Sequence, residues 1–140
     1  MDYTRRDLGL LIPALAAAQV PAQSRVLTSK ALRLEDMPVR TSSHMRSRAI
    51  LKGETHTTFP VDLHQSELDA GQAPHPPHRH VHEEILMIRS GMLDVTIGGK
   101  TTQLGPGSVA YIASNEEHGW RNTGAGVTEY FVIALGENKV

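Results

Sequence analysis

The sequence predicts an all-β protein, folded as a single antiparallel sandwich or small barrel. Beyond Ser24 no apolar spacing sustains a helical period for more than two turns. Short β-branched runs recur instead, set off by Gly and Pro, at the roughly eight-to-twelve-residue spacing of such folds. A chain of 140 residues can bury one core and is too short for two comfortable ones. The domain is therefore expected to occupy residues 24–140.

Residues 1–23 stand apart from that domain. A short charged stretch containing Arg5 and Arg6 leads into the apolar run Leu8–Ala18. That run is about half of the ~20 residues that span a bilayer, so stable membrane insertion is not expected. Thr4-Arg5-Arg6-Asp7-Leu8 resembles a twin-arginine export signal, although Gly9 stands where a larger apolar residue is preferred, and Ala16, Ala18 and Ala22 offer A-x-A-type cleavage sites. On this reading the mature protein is periplasmic. The alternative is an amphipathic helix packed on the domain of a cytoplasmic protein.

The strands follow in order. Leu27, Leu32 and Leu34 suggest a leading edge strand, with Ala31–Leu34 unpaired on one side. Met45–Leu51, Phe59–Leu68, Glu84–Arg89, Leu93–Ile97, Thr101–Leu104, Ser108–Ile112, Gly119–Asn122 and Val127–Leu135 come next. Gly98-Gly99 predicts a two-residue hairpin, because both positions can take positive φ without a Cβ clash. Ser90-Gly91 and Gly105-Pro106-Gly107 mark further turns.

Composition narrows the partners. Fourteen Lys and Arg against 15 Asp and Glu leave a net charge of −1, which provides no basic field for nucleic acid or an anionic membrane. Aromatic residues make up only 4%, so there is no platform for stacking bases. With no Cys, disulfides, thiolate nucleophiles and Cys-based metal sites are excluded. Any metal must be held by His and carboxylate, and the expected partner is a small-molecule substrate or ligand.

The chemistry is concentrated in residues 75–84, His-Pro-Pro-His-Arg-His-Val-His-Glu-Glu. Residues two apart on a strand share a face, so His78 and His80 can present both imidazoles to one ion. Glu84 can add a carboxylate from the start of the next strand, after a bend at Val81-His82. A third imidazole is available from His118, beyond the turn Asn115-Glu116-Glu117. Three imidazoles with one carboxylate suit a divalent transition metal (Mn, Fe, Ni, Co, Cu or Zn) better than Ca or Mg. His75 and His82 lack this spacing and are expected to support the ligands or face solvent, while Glu83 has the opposite parity. His44, His56 and His64 are scattered and are read as ordinary surface or hydrogen-bonding residues. Trp120 shares parity with His118, and Leu86 and Ile88 with Glu84, so these three are candidates to line a pocket.

The same spacing carries a resemblance. Gly71-x6-His78-x-His80-x3-Glu84-x6-Gly91 is similar to the first cupin motif, and Gly99-x5-Gly105-Pro106-Gly107 followed by His118-x3-Asn122 is similar to the second. Between Gly71 and His78 there is one residue more than in the common form, and Gly105 replaces a Pro; both departures fall in loops. The resemblance implies an antiparallel cupin-like (jelly-roll) β-barrel in which His78, His80, Glu84 and His118 bind one metal. It also implies self-association, with a homodimer as the expectation. Four protein ligands leave about two positions of an octahedral ion for substrate or dioxygen. Small cupins include dioxygenases, isomerases and lyases, so the resemblance implies a class of site, with oxygenase chemistry placed ahead of the other two. Glu84 is the one candidate base. A non-catalytic module binding a small ligand or metal is the alternative, and metal buffering by His75 and His82 is a third.

Overall fold

The computed structural model describes residues 26–137. The segment expected to act as an export signal lies outside the described residues. Among the described residues a single 3-10 turn, Leu34–Asp36, precedes nine strands: β1 Val39–Thr41, β2 Met45–Glu54, β3 Pro60–Leu68, β4 Glu83–Ser90, β5 Leu93–Ile97, β6 Lys100–Leu104, β7 Val109–Ile112, β8 His118–Asn122 and β9 Thr128–Leu135. They form a six-stranded sheet in the order β1-β2-β3-β9-β4-β7 and a three-stranded sheet in the order β6-β5-β8, with every ladder antiparallel. The expected all-β jelly roll is present. Its two sheets face each other over one core without a ladder running continuously around them.

Side-chain alternation builds that core. Along β9 burial alternates strictly, turning Thr128, Tyr130, Val132 and Ala134 inward. Cross-strand register then sets Val132 between His64 and Leu86, and Tyr130 between Ser66 and Ile88. In the smaller sheet Leu93 faces Asn122, Val95 faces Trp120 and Ile97 faces His118. Leu68, Leu86, Ile88, Leu93, Val95, Ile112, Trp120, Tyr130 and Val132 make one contiguous cluster. Each fully buried aliphatic side chain contributes roughly 1.5–3 kcal/mol relative to exposure. The polar side chains His64, Ser66, Glu84 and His118 share the inner faces with this core, and they define where a site can form.

Two turns explain how the sheets connect. Gly98 and Gly99 have φ of 56° and 81° and join Ile97 to its cross-strand partner Lys100, as the two-glycine signal predicts. Gly91, at φ 81°, follows β4, and a Cβ there would lie 2.7 Å from Thr128 Cα. Thr128 occupies that space to clamp the turn: its hydroxyl accepts the Met92 N–H at 3.0 Å and donates to Met92 O at 3.1 Å.

The leading edge strand is displaced from its expected position. Residues 31–33 lie in no strand, Leu32 and Leu34 are exposed, and the edge strand is Val39–Thr41, paired with Ser47 and its neighbours in β2. Asp36 accepts hydrogen bonds from the Arg33 guanidinium at 2.8 and 3.2 Å, favouring a local turn where the leucines alone suggested a strand. No helix among the described residues is long and apolar enough to cross a membrane.

Candidate metal centre

The segment carrying two of the four candidate ligands, residues 71–82, is a loop fastened along β8. Gly71 N–H donates to Asn122 O at 2.9 Å and Asn122 N–H to Gln72 O at 2.8 Å. Further along, His78 and His118 exchange both backbone hydrogen bonds at 3.0 Å, and Asn115 N–H donates to His80 O at 2.8 Å. The expected strand through His78 and His80 is thus corrected to one isolated bridge. Pro74, Pro76 and Pro77 carry no N–H for a ladder, so regular pairing cannot run through this stretch. Gly119 lets Pro77 approach, since a Cβ there would meet its ring atoms at 3.3 Å. The bend at residues 81–82 then leads into β4, where Glu84 turns inward.

These elements bring the four expected residues together. Glu84 Oε2 is 3.4 Å from His118 Nε2, and Glu84 Oε1 is 3.5 Å from His80 Nε2. His78, His80 and His118 form one group whose ligand atoms all lie within 4.8 Å of one another. Ligands about 2.1 Å from a common ion stand about 3 Å apart at right angles and about 4 Å apart when opposite, so the 3.4 and 3.5 Å separations are compatible with a single ion after small side-chain shifts. The tautomers fit as well. His80 Nδ1–H donates to His82 O at 2.7 Å and His118 Nδ1–H donates to Glu116 O at 2.9 Å. A carbonyl can only accept, so in the neutral form each ring keeps its lone pair on Nε2.

Those lone pairs have no partner. His80 Nε2, His118 Nε2 and Glu84 Oε2 are buried without a hydrogen bond, although such atoms are costly to leave unsatisfied. His118 is 1% exposed, His80 6% and Glu84 9%, so water does not compensate them freely. Three orphaned acceptors that converge are what a cation requires, and the cluster is compatible with a metal ion. Burial pushes the His78 imidazole below its ordinary pKa, as do the neighbouring His75, His118 and His80, against an opposing pull from Glu84. Burial lowers His82 in the same way, followed by His80, with Glu84 opposing.

A cavity of about 440 Å³ opens beside this cluster. Glu84, His75, His64, Ser66, Trp120, Tyr130 and Val132 line it, with Arg40 and Lys52 among its charged residues. Of the three expected pocket residues, Trp120 lines this cavity, whereas Leu86 and Ile88 sit in the apolar core. A larger cavity of about 830 Å³ lies where residues 26–30 pack over β2 and β3, and it holds none of the candidate ligands.

His82, expected either to support the ligands or to face solvent, is buried against them, and Tyr130 and His64 have a place that sequence reasoning did not give them. His82 is 7% exposed, stacks on His80 with ring centroids 3.5 Å apart and reaches Glu84 Oε1 at 3.3 Å. Its signal was parity, since 78, 80, 82 and 84 are all even. Tyr130 and His64 also face the cavity, and each shares parity with the inward residues of its strand. His75 remains exposed and packs edge-on against His78 at 4.3 Å and Trp120 at 5.5 Å.

A sequence profile of the cupin domain matches residues 64–134, which includes His78, His80, Glu84 and His118. The chain belongs to the cupin family. A comparison with curated proteins found no match to this cupin. Among solved structures, it is similar to an RmlC-like cupin from Shewanella frigidimarina, at 14% identity and a TM-score of 0.66, covering 79% of this chain and 93% of that one. It is also similar to the polyketide cyclase RemF from Streptomyces resistomycificus, at 20% identity and a TM-score of 0.64, covering 81% and 83%. A predicted oxalate decarboxylase from Thermotoga maritima matches at 19% identity and a TM-score of 0.67, covering 77% of this cupin and all of that chain. Identities this low establish a shared fold and nothing finer.

Proposed function

We propose that this cupin is a metal-dependent enzyme acting on a small, partly apolar organic molecule, with His78, His80, Glu84 and His118 as the ligands of one divalent transition ion. The observation that carries the proposal is the convergence of three buried, unpartnered donor atoms beside a cavity of small-molecule size. When bound, the ion supplies Lewis acidity and, if it is redox-active, oxygen chemistry.

The chain's own groups complete the site. Trp120 and Val132 give the cavity apolar walls against which an apolar part of a substrate can pack. Burial raises the Tyr130 hydroxyl above its ordinary pKa, more than the neighbouring Trp120 and Ser66 side chains lower it, so it stays protonated at neutral pH and can donate to a bound oxygen. Glu84 is the one carboxylate at the centre of the cluster and the candidate base. Oxygenase chemistry is placed first and isomerase or lyase chemistry second. The reading of an enzyme rests on the buried cluster and the cavity beside it, and the likeness to a polyketide cyclase and to a predicted oxalate decarboxylase extends to the fold alone.

Protein loaded in turn with Mn, Fe, Co, Ni, Cu and Zn is to be assayed for oxygen consumption and product formation across a panel of small acids, phenols and keto compounds. Turnover with one metal is expected. Full loading with tight ligand retention and no turnover would establish the non-catalytic binding module instead.

Export and pairing belong to the same proposal. Arg5, Arg6 and the apolar run Leu8–Ala18 support export, and an intact Met1 on secreted material would contradict it. Pairing of two copies is supported by Met87, Val109 and Tyr111, more than two-fifths exposed and adjacent across β4 and β7.

A further inference from the structure

His82 lies between two proposed ligands and touches both. Its ring is parallel to that of His80 within 9°, with centroids 3.5 Å apart. Its backbone carbonyl accepts the His80 Nδ1–H at 2.7 Å, and its Nε2 is 3.3 Å from Glu84 Oε1. Its Nδ1 is buried without a partner. A neutral imidazole has one N–H, and in a buried ring that proton belongs on the nitrogen that has an acceptor. The proton therefore sits on Nε2, facing Glu84.

We infer that His82 is a positioning residue for the metal site, holding Glu84 through Oε1 so that Oε2 faces His118 and the ion, while its carbonyl and ring fix His80. The inference rests on the metal reading above. His80, His82 and Glu84 also form a group from which ligands could be drawn, but with the proton on Nε2 the lone pair of His82 lies on Nδ1, not on the nitrogen that meets Glu84. The split of Glu84 between two partners follows from the same contact. Oε1 accepts from His82, and Oε2 is left as the buried atom without a partner. Carboxylates and imidazoles held in this way by outer hydrogen bonds bind metal more tightly, because orientation is fixed before the ion arrives.

The test uses cobalt(II) titrations of the full chain, followed by visible absorption, with thermal melts of the metal-free forms as a control on folding. His82→Phe keeps a flat buried ring against His80 and removes the donor; His82→Gln restores an N–H near the position of Nε2. Wild-type protein is expected to bind one cobalt per chain. His82→Phe should bind about 10–100-fold more weakly with a shifted absorption band, and His82→Gln should recover most of the loss. Should the Phe ring unfold the metal-free chain, His82→Ala carries the same expectation. Equal affinity and spectrum in wild type and the donor-less variant would overturn the positioning role alone. Equal losses in the donor-less and Gln variants would overturn it in favour of direct ligation. Wild-type protein that takes up no cobalt would overturn the metal reading, and this role with it.

Discussion

Which imidazole nitrogen carries its proton decides what the site can hold. Backbone carbonyls at His82 and Glu116 take the Nδ1–H of His80 and His118, and the two Nε2 lone pairs are left facing Glu84. The four candidate ligands were legible in the sequence because their types and spacing are restrictive. Their tautomers were not, since the carbonyls that set them come from a bend and a turn whose geometry is not written in residue identity. His82 was underestimated for a related reason: parity pointed it inward, but a loop between two strands need not preserve parity. Tyr130 is the residue whose role in turnover separates best from metal binding. Tyr130→Phe removes only the hydroxyl, so metal content is expected to stay unchanged while kcat/KM for whatever substrate is turned over falls at least about tenfold. Unchanged turnover would remove Tyr130 from the chemistry.

The strands were legible because alternation and turn glycines agree. β5 and β9 run within a residue of the expected bounds, and the hairpin at Gly98-Gly99 pairs as its residues require. The leading leucines misled, because three apolar residues near a chain end carry no register and the Arg33–Asp36 contact wins locally. Two consequences at this scale are measurable. Gly91→Ala combines a positive φ with overlap on Thr128, and should destabilise the fold by about 2–5 kcal/mol in denaturant melts. A pH dependence follows from the cross-strand contact of Glu67 with Arg46 and Arg48. Burial alone would raise the Glu67 carboxyl, but hydrogen bonds from Arg48 and Arg46, with their charges, outweigh it and leave it below the ordinary 4.5. A carboxyl lowered by folding contributes stability that is complete above about 4.5 and is lost as pH falls through its folded value. Melting temperature is therefore expected to drop in that acidic window, and Glu67→Gln should flatten the drop. An identical acid limb in the variant would show that other carboxyls govern it.

Over the whole molecule, the jelly roll brings together parts that lie far apart in the chain. His118 comes to His78 across 39 intervening positions because β8 pairs with the loop ahead of β4, and the buried Asn122 amide braces the same joint by donating to Leu68 O and Gly126 O at 2.7 and 2.8 Å. The fold class and its single core could be inferred from strand spacing. The cavity could not, since its walls draw on β1, β2, β3, β4, β8 and β9, and only their packing shows which inward residues meet an open space. The central claim is that this fold assembles one metal site from His78, His80, Glu84 and His118. It is tested most directly by elemental analysis of wild-type and Glu84→Gln protein after loading with manganese(II) and dialysis. One ion per chain in the wild type is expected, with affinity lowered at least about 100-fold in Glu84→Gln, beyond the effect of an outer-sphere change. Wild-type protein that keeps no ion, or a variant that keeps it equally well, would contradict the claim.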